Sequence, residues 1–348
     1  MARATRADVA RAAGVSPSTV SVVLNGQSEA IKISVATQKK VREAAKALKY
    51  IPHASARALR RQRSNVIGLV LGKLPRDPFV PVVHQVLISA VKAAQERGFL
   101  VVPVPEPQEA DGTYNYTHKL LSEINLSGLV FETTSRQQFV GTLLSDIDVP
   151  VMWMSLVDTQ DRYPGVGHMR IKEQSGVKEL VDGLGISAES SVLLLTGPGG
   201  KHSRQNPVIE YFGINCRQVS LEDWSVATAR TAVGKMLSKG ERPRVIWCAD
   251  DMLAIGAREA CQAAGVNVPD EIMVIGFGDY SESSFGSQGI TSAHWPLQQL
   301  TEGAVNGLID YIEQQQNPDA GNGAEEWPRY RDYPTTAVWR ESASRAAD

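Results

Sequence analysis

Cysteines are scarce in this 348-residue sequence, and long apolar runs are absent. The three cysteines show no CxxC spacing, which argues against a disulfide framework and a zinc site. No apolar run approaches the roughly 18–20 residues of a membrane-spanning helix. The first residues lack the apolar segment of a secretory signal. We therefore expect a cytoplasmic protein with no membrane partner.

Motifs of enzyme chemistry are also absent. Residues 197–203 are rich in glycine, but they miss the GxxxxGK[ST] spacing of a phosphate loop. Two Gly-x-Gly stretches, at 165–167 and 276–278, lack the third glycine of a dinucleotide-binding loop. No GxSxG sequence occurs, and the six histidines show no metal-ligand spacing. The sequence therefore predicts a protein that is not an enzyme and that binds no metal or cofactor.

The net charge of −2 hides an uneven distribution. Residues 1–63 carry 13 Lys and Arg against 3 Asp and Glu, a balance of +10. The rest of the chain carries 23 against 35, a balance of −12. A small basic segment beside a larger acidic one indicates a polyanion as the partner of the basic segment alone. The charge by itself also fits a solvated basic face, and the helical pattern beneath it favours the polyanion.

Residues 15–25, with the sequence VSPSTVSVVLN, predict a short helix. Ser16 is a natural N-cap, and Pro17 suits the first helical position, where the missing N–H costs nothing. One face at helical spacing is apolar and consists of Val20, Val23 and Leu24. The opposite face consists of Ser18, Ser21 and Val22. That second face is left to contact a partner.

A helix on each side of this one completes a small helical unit. Thr5 is placed to cap the first helix, with Asp8 in a capping-box position, and Gly14 ends it. Helix, glycine-containing turn and helix in about twenty residues is the helix-turn-helix arrangement. Ser34 begins a third helix, and Pro52 ends it. The expected packing residues are Val9, Ala10 and Ala13 of the first helix and Val41, Ala44, Ala45 and Leu48 of the third.

Residues 53–63 form a short helix-prone segment with four arginines. The segment is too short to be a stable helix alone in water. Basic segments of this kind become ordered on phosphates. Leu59 is an apolar residue without a core of its own, so it fits a wedge between base steps of a minor groove. It also fits a linker residue that packs on a dimer mate or on the rest of the chain.

From residue 64 onward, apolar runs alternate with helical stretches. The predicted strands are 66–71, 99–104, 128–131, 149–154, 191–196, 216–221, 245–249 and 272–276. The predicted helices are 82–97, 114–124, 137–147, 172–183, 225–238 and 252–264. This alternation predicts parallel sheets with helices on both faces, and two such series predict two α/β lobes. The fold class is therefore α/β, with an all-α N-terminal head.

Ligands of open α/β sheets bind outside the carboxyl ends of the strands, so we expect a ligand between the two lobes. The candidate contacts near those ends are Asp77, Phe79, Ser155, Trp224, Asp250, Asp279 and Trp295. Short acids with aromatic rings suit a neutral polyhydroxyl ligand, because carboxylates accept hydroxyl protons and rings cover the apolar sugar face. Alternatively, Asp251 and Asp279 only cap the helix or turn that follows each of them.

Residues 8–25, 50–52 and 56–59, with Val41, closely resemble the head and hinge of LacI-type bacterial transcription repressors. The resemblance implies that the second helix enters the major groove of DNA and that Leu59 intercalates at the operator centre. It assigns base reading to Pro17, Ser18 and Val22, and phosphate contact or helix orientation to Thr5, Ser16, Thr19, Ser21 and Asn25. The hinge adds the DNA-binding candidates His53, Arg57 and Arg60.

The chain departs from the family at Val22, where arginine is usual. Arginine reads guanine with two hydrogen bonds, whereas valine offers only apolar contact, for instance to a thymine methyl group. We therefore expect an operator half-site that differs from the usual family half-site at that base pair.

The rest of the chain resembles the effector domain of the same family, which is similar to periplasmic sugar-binding proteins. The matching segments are 77–79, 249–256, 268–270, 274–279, 290–292 and 338–342. Asp250 stands where the family commonly has asparagine, and Gly278 stands where it often has a sugar-binding aspartate. Arg204 is the candidate substitute for a ligand-clamping arginine. These departures leave open another sugar, a phosphorylated metabolite or no effector.

The sequence thus predicts a DNA-binding head at 1–51, a hinge helix at 52–63 and a two-lobed body at 64–348. The expected function is a sequence-specific repressor that binds a palindromic double-stranded DNA operator as a homodimer or higher oligomer. A small metabolite, a sugar or a sugar derivative, is expected to modulate the operator affinity, by induction or by corepression. Two alternatives are a cytosolic sugar-binding protein without DNA activity and a sugar-acting enzyme.

Overall fold

The chain folds as two units, Met1–Ser64 and Asn65–Asp348. The computed structural model describes residues 4–24, 32–50, 64–71, 81–105, 123–133, 148–159, 163–199, 203–280, 289–316 and 329–346. The predicted helix at 137–147, and nearly all of the one at 114–124, lie outside these residues. We refer to the first unit as the head and to the second as the body.

Three short helices make up the described part of the head: α1 (Arg6–Ala13), α2 (Pro17–Leu24) and α3 (Val35–Ala47). Thr5 caps α1 in a capping box with Asp8, as the sequence predicts. Gly14 ends α1 in the left-handed region, with φ of 67°. α2 therefore follows α1 after a short turn, which is the helix-turn-helix arrangement.

The three helices of the head share one apolar core. The fully or nearly buried side chains are those of Val9, Ala10, Val20, Val23, Val41 and Ala45. Leu24 and Ala44 are partly buried against them. The prediction for Leu48 is wrong: this residue is the C-cap of α3, and its side chain is 37% exposed. The last helical turn therefore ends before Leu48 can reach the core.

The body contains two six-stranded sheets. The first has the strand order β11-β5-β4-β3-β1-β2 and is entirely parallel. The second has the order β12-β10-β9-β8-β6-β7, in which only the β12–β10 pair is antiparallel. The strands are β1 (Val66–Leu71), β2 (Leu100–Pro105), β3 (Gly128–Glu132), β4 (Val151–Ser155), β5 (Gly167–Lys172), β6 (Val192–Thr196), β7 (Cys216–Ser220), β8 (Val245–Cys248), β9 (Met273–Gly278), β10 (Thr291–His294), β11 (Tyr330–Pro334) and β12 (Thr336–Val338).

Helices pack against these sheets, as the α/β fold class predicts. The described α-helices of the body are α4 (Pro81–Glu96), α5 (Gln174–Gly183), α6 (Asn206–Phe212), α7 (Val226–Ser238), α8 (Asp251–Ala263) and α9 (Leu297–Gln316). Short 3₁₀ segments occur at Ser203–Gln205 and Gly213–Asn215. None of the described helices is long and apolar enough to cross a membrane.

Three segments connect the two sheets: residues 172–174, residues 294–297 and Thr335. Thr335 is buried, and its backbone N–H donates to the carbonyl of Lys172 (3.1 Å). Its hydroxyl donates to the carbonyl of Glu173 (2.9 Å) and accepts from the N–H of Gly176 (2.8 Å). Two of the three connections are thus bonded to each other at the carboxyl end of β5.

Candidate functional site

Helix α2 is held at its start by Ser16, whose hydroxyl accepts from the backbone N–H of Thr19 (3.1 Å). The same hydroxyl lies 2.6 Å from the hydroxyl of Ser18 and 2.9 Å from that of Thr19. Pro17 and Ser18 are exposed, and Val22 is partly exposed. Because the apolar side chains of α2 are committed to the head core, its N-terminal turn presents a small polar surface.

The basic residues of the head are exposed around this helix bundle. The exposed cations among the described residues of the head are Arg6, Arg11, Lys32, Lys39, Lys40, Arg42, Lys46 and Lys49. Thr5 is also exposed, and its hydroxyl donates to Asp8 (2.6 Å). The predicted DNA contacts that lie outside the described residues are Asn25, His53, Arg57, Leu59 and Arg60.

In the body, two predicted ligand contacts, Asp77 and Phe79, also lie outside the described residues. Ser155 ends β4 in the first sheet and is fully buried. Its hydroxyl accepts from Thr133 (3.0 Å) and lies 2.6 Å from Nε2 of His168. Burial, helped by the charge of Arg170, lowers the pKa of His168 to about 4, so this imidazole is neutral near pH 7. Thr133, Ser155 and His168 therefore form a neutral polar cluster at the carboxyl edge of this sheet.

Asp250 and Asp251 follow β8 in the second sheet. Asp250 caps α8, because its Oδ1 accepts from the N–H of Met252 (2.8 Å), and its Oδ2 accepts from the Tyr280 hydroxyl (3.1 Å). Desolvation and the neighbouring charge of Asp251 raise the pKa of Asp250 to about 7. Asp251 is fully buried and accepts from the backbone N–H of Tyr280 (3.0 Å) and the hydroxyl of Ser292 (2.7 Å). Asp250, not Asp251, is therefore the helix cap.

Asp279 follows β9 with a φ of 56°. Its Oδ1 accepts from Arg340 (2.5 Å), and its Oδ2 lies 3.0 Å from Nδ1 of His294. Burial opposes ionisation, but the hydrogen bonds with His294 and Arg340 and the charge of Arg340 outweigh it and lower the pKa of Asp279. Both carboxylate oxygens are therefore engaged inside the body, with Arg340 and His294.

Arg204 lies across the carboxyl ends of β8, β9 and β10. Its Nη1 donates to the carbonyl of Ala249 (3.2 Å). Its guanidinium lies over the rings of Phe277 and Trp295, 4.3 and 4.8 Å from their centres. Its Nε is 3.1 Å from Oε1 of the fully buried Glu173. The structure thus places Arg204 next to Trp295 and to the end of β8. Arg204 and Trp295 are both candidate ligand contacts from the sequence.

The two tryptophans differ in their surroundings. Trp224 is partly buried and lies directly against the backbone of Gly197 at the end of β6, where an added Cβ would be 2.3 Å from the ring. Ser225 starts α7, as predicted, through a bond from the N–H of Thr228 to its hydroxyl (3.1 Å). Trp295 is 6% exposed, and its indole N–H has no hydrogen-bond acceptor among the described residues.

Sequence reasoning missed Glu173, His168 and Tyr280 as partners of the predicted contacts. Each of them sits at a connection or strand end next to an apolar run, and their partners are distant in sequence. A buried glutamate before α5 carries no sequence signal, because it resembles an ordinary first-turn acid. The described residues contain no group of three or more His, Cys, Asp and Glu suited to a metal ion. The three cysteines are buried and free.

Two known families match parts of the chain, one in the head and one in the body. Residues 5–53 match the family described as "Bacterial regulatory proteins, lacI family". Residues 210–343 match the family described as "Periplasmic binding protein-like domain".

Similar curated proteins cover nearly the whole chain. The transcriptional repressor PurR of Aliivibrio fischeri strain MJ11 is 26% identical over 324 residues, which cover 89% of this chain and 92% of that protein. The lactose operon repressor of Escherichia coli K12 is 27% identical over 317 residues, which cover 88% and 84% of the two chains. Both of these relatives are named as repressors.

Solved structures confirm the fold. The Lac repressor dimer bound to operator and the anti-inducer ONPF has a TM-score of 0.75 at 24% identity and covers 98% of this chain and 99% of that one. The complex of the transcriptional regulator CelR with cellobiose has a TM-score of 0.59 at 19% identity and covers 98% and 100% of the two chains. The chain thus combines a head that matches the lacI family of bacterial regulatory proteins at residues 5–53 with a segment that matches the periplasmic binding protein-like domain at residues 210–343.

Proposed function

We propose that this chain is a cytoplasmic, homodimeric transcriptional repressor that binds a palindromic operator and responds to a small metabolite. The observation that carries the proposal is α2. Its residues Val20 and Val23 are buried in the head core, while Pro17 and Ser18 are exposed and Val22 is partly exposed on a basic unit. A helix of this size fits the major groove, where base edges can be read. The Lac repressor dimer bound to operator, which shares the fold, supports the pairing of two such heads.

The proposed DNA contacts fall into three groups. Pro17, Ser18 and Val22 read bases, and Thr5, Ser16, Thr19, Ser21 and Asn25 contact phosphates or orient the helix. The hinge residues are His53, Arg57, Leu59 and Arg60, of which Leu59 is the wedge. The hydroxyl of Ser16 accepts a hydrogen bond from the N–H of Thr19, so we assign Ser16 to holding the start of α2 and not to phosphate contact. The proposed domains are a DNA-binding head at 1–51, a hinge helix at 52–63 and a two-lobed body at 64–348.

The proposed effector site is formed by the carboxyl ends of the strands of the body. Asp250 and Trp224 are partly exposed residues at these ends. Trp295 contributes a buried N–H that lacks an acceptor among the described residues, which fits a ligand that carries oxygen atoms. Asp279 holds Arg340 and His294, so we do not include it among the proposed direct contacts with the effector.

Selection of random-sequence DNA by the full-length protein tests the DNA part of the proposal. We expect enrichment of one two-fold symmetric site, since one helix reads only a few base pairs and a dimer doubles the site. A mobility-shift titration then compares this site with a scrambled duplex of equal length. A sugar-binding protein without DNA activity would enrich no site, and that result would overturn the proposal.

A further inference from the structure

The charge of Arg204 is available to a ligand only if no group of the protein neutralises it. Arg204 lies at the carboxyl ends of β8, β9 and β10, where ligands of open α/β sheets bind. Its side chain is only 8% exposed, because two aromatic rings and the Ala249 carbonyl surround it. Arg204 is therefore part of the floor of the proposed effector site and not a mobile clamp above it.

Glu173 is the ion-pair partner of this arginine. The carboxylate is fully buried, with Oε1 3.1 Å from Nε of Arg204. Its other oxygen accepts from the hydroxyl of Ser203 and from the backbone N–H of Asp158 (3.3 Å). These bonds fix the position of the carboxyl group next to the end of β5. Attraction between opposite charges is strong in such a poorly polarisable setting, so the pair is neutral as a unit.

Other cations at the strand ends are paired in the same way. Nζ of Lys172 is 3.2 Å from Asp158, and Arg340 is 2.5 Å from Asp279. The described hydrogen bonds to Asp250 come from neutral donors, the N–H of Met252 and the hydroxyl of Tyr280, although the charge of Arg204 also favours its ionised form. The described part of the site thus offers a carboxyl group, hydroxyls and rings to a ligand, while its cations are matched by acids.

We propose that Glu173 sets the charge preference of the effector site: by pairing with Arg204, it selects an uncharged polar metabolite and excludes phosphorylated and carboxylated ones. An anion would have to displace Glu173 from the guanidinium, and it would be repelled by that buried carboxylate. A neutral polyol or carbonyl compound meets no such penalty, since hydroxyl and carbonyl groups bond to the neutral groups of the floor. This inference rests on the proposed effector site.

Titration of inorganic phosphate into the full-length protein, followed by isothermal calorimetry, tests the inference. Glu173→Gln keeps the volume of the side chain and removes its charge, so that Arg204 loses its ion-pair partner. We expect this variant to bind phosphate about tenfold more tightly than the wild type. The double variant E173Q/R204Q lacks both charges, so it should bind phosphate as weakly as the wild type. The matched control is Glu241→Gln, which frees the 55%-exposed Arg217 at the surface and should change nothing.

Three outcomes would overturn the inference. The first is an E173Q protein with no gain for phosphate, and the second is an equal gain in E241Q. The third is a wild type that binds phosphate more tightly than E173Q/R204Q, because Arg204 would then already serve an anion. This last comparison still tests the inference if E173Q alone fails to fold, since the double variant removes both charges of the buried pair and leaves neither of them without its partner. Binding of the wild-type protein to operator DNA is measured in parallel by mobility shift. If the wild type does not bind operator, that result counts against the proposed function and not against the charge preference.

Discussion

Asp250 and Asp279 follow neighbouring strands of the second sheet, yet their carboxyl groups are held in opposite ways. Asp279 is bonded to a guanidinium and an imidazole, which favours its charged form. Asp250 is desolvated beside Asp251, which favours its neutral form. Two acids with similar sequence surroundings therefore have different tasks: one holds the body together, and the other is suited to a ligand.

Asp279→Asn should lower the free energy of unfolding by about 1–3 kcal/mol at pH 7, because the charge-assisted bond to Arg340 is weakened. Asparagine tolerates the positive φ, so the backbone is not strained. The lowered pKa means that the carboxylate contributes stability above its ordinary value of 3.8, and that this contribution is lost as the pH falls below it. Urea denaturation at several pH values measures the difference, which should shrink in acid. Equal stability of the two proteins at pH 7 would contradict the prediction.

Asp250→Asn should have the reverse pH dependence. The pKa of Asp250 is raised from 3.8 to about 7 in the folded protein, so the folded state binds more protons than the unfolded state between those values. The wild type should therefore lose stability relative to D250N as the pH rises from about 4 to about 7, with no further loss above that range. Thermal unfolding of both proteins across this range tests it. A difference in Tm that does not change with pH would show that Asp250 is ionised throughout.

At the scale of elements, the start of α5 packs closely on the connection between β11 and β12. A Cβ added at Gly176 would lie 2.7 Å from the backbone N of Thr336. Gly176→Ala should therefore destabilise the body by about 1–3 kcal/mol. Gly234, in the middle of α7, has open space around it, so Gly234→Ala should instead stabilise by about 0.5–1 kcal/mol. Chemical denaturation gives the free energy of unfolding of both variants and of the wild type. A G176A protein that is more stable than the wild type would contradict the close packing at this position.

Helix α2 carries the prediction about operator sequence. Val22 is partly exposed on this helix and offers only apolar contact to a base pair. In selections from random DNA, Val22→Arg should change the preferred base at one position of each half-site to guanine and leave the other positions unchanged. A wild-type selection that already returned guanine at that position would contradict the assigned role of Val22.

The sequence predicted elements where a local signal and the final packing agree. α1 and α3 begin at residues whose side chains cap them, β1 is apolar throughout, and β3 is apolar up to its last residue, Glu132. β5 and β11 escaped prediction because polar residues interrupt them, and they form through pairing with strands distant in the chain. The end of α3 was misplaced because an apolar Leu48 extends the helical pattern beyond the last turn.

The contacts of the candidate site were less predictable than its location. The rule that ligands lie at carboxyl ends of strands identified Asp250 and Trp295 as candidates without any tertiary information. It did not distinguish Asp279, whose role depends on Arg340, 61 residues away in the chain. It also did not find Glu173, which meets Arg204 only because β5 ends beside the second sheet. Charge pairing between distant elements is a tertiary property and leaves no periodic pattern.

At the scale of the whole molecule, the balance of charge separates the two proposed tasks. Residues 1–63 have a balance of +10, and the remaining residues have a balance of −12. A polyanion such as DNA is therefore attracted to the head and repelled by the body. Affinity that comes from phosphate contacts depends steeply on salt, because each neutralised phosphate releases counterions. The salt dependence of operator binding consequently reports how many cations of the dimer touch DNA.

Arg60→Gln should make that salt dependence shallower. Each phosphate contact contributes about 0.9 to the slope of log K against log salt, and a two-fold dimer loses two contacts, so the slope should change by about 1.8. Arg217→Gln is the control, since Arg217 lies on the acidic body and pairs with Glu241. Fluorescence anisotropy at five salt concentrations gives each slope. A slope for R60Q equal to that of the wild type would place Arg60 away from DNA. A change near 0.9 would mean that only one protomer of the dimer uses this arginine, because the number of lost contacts scales with the copies that touch the operator.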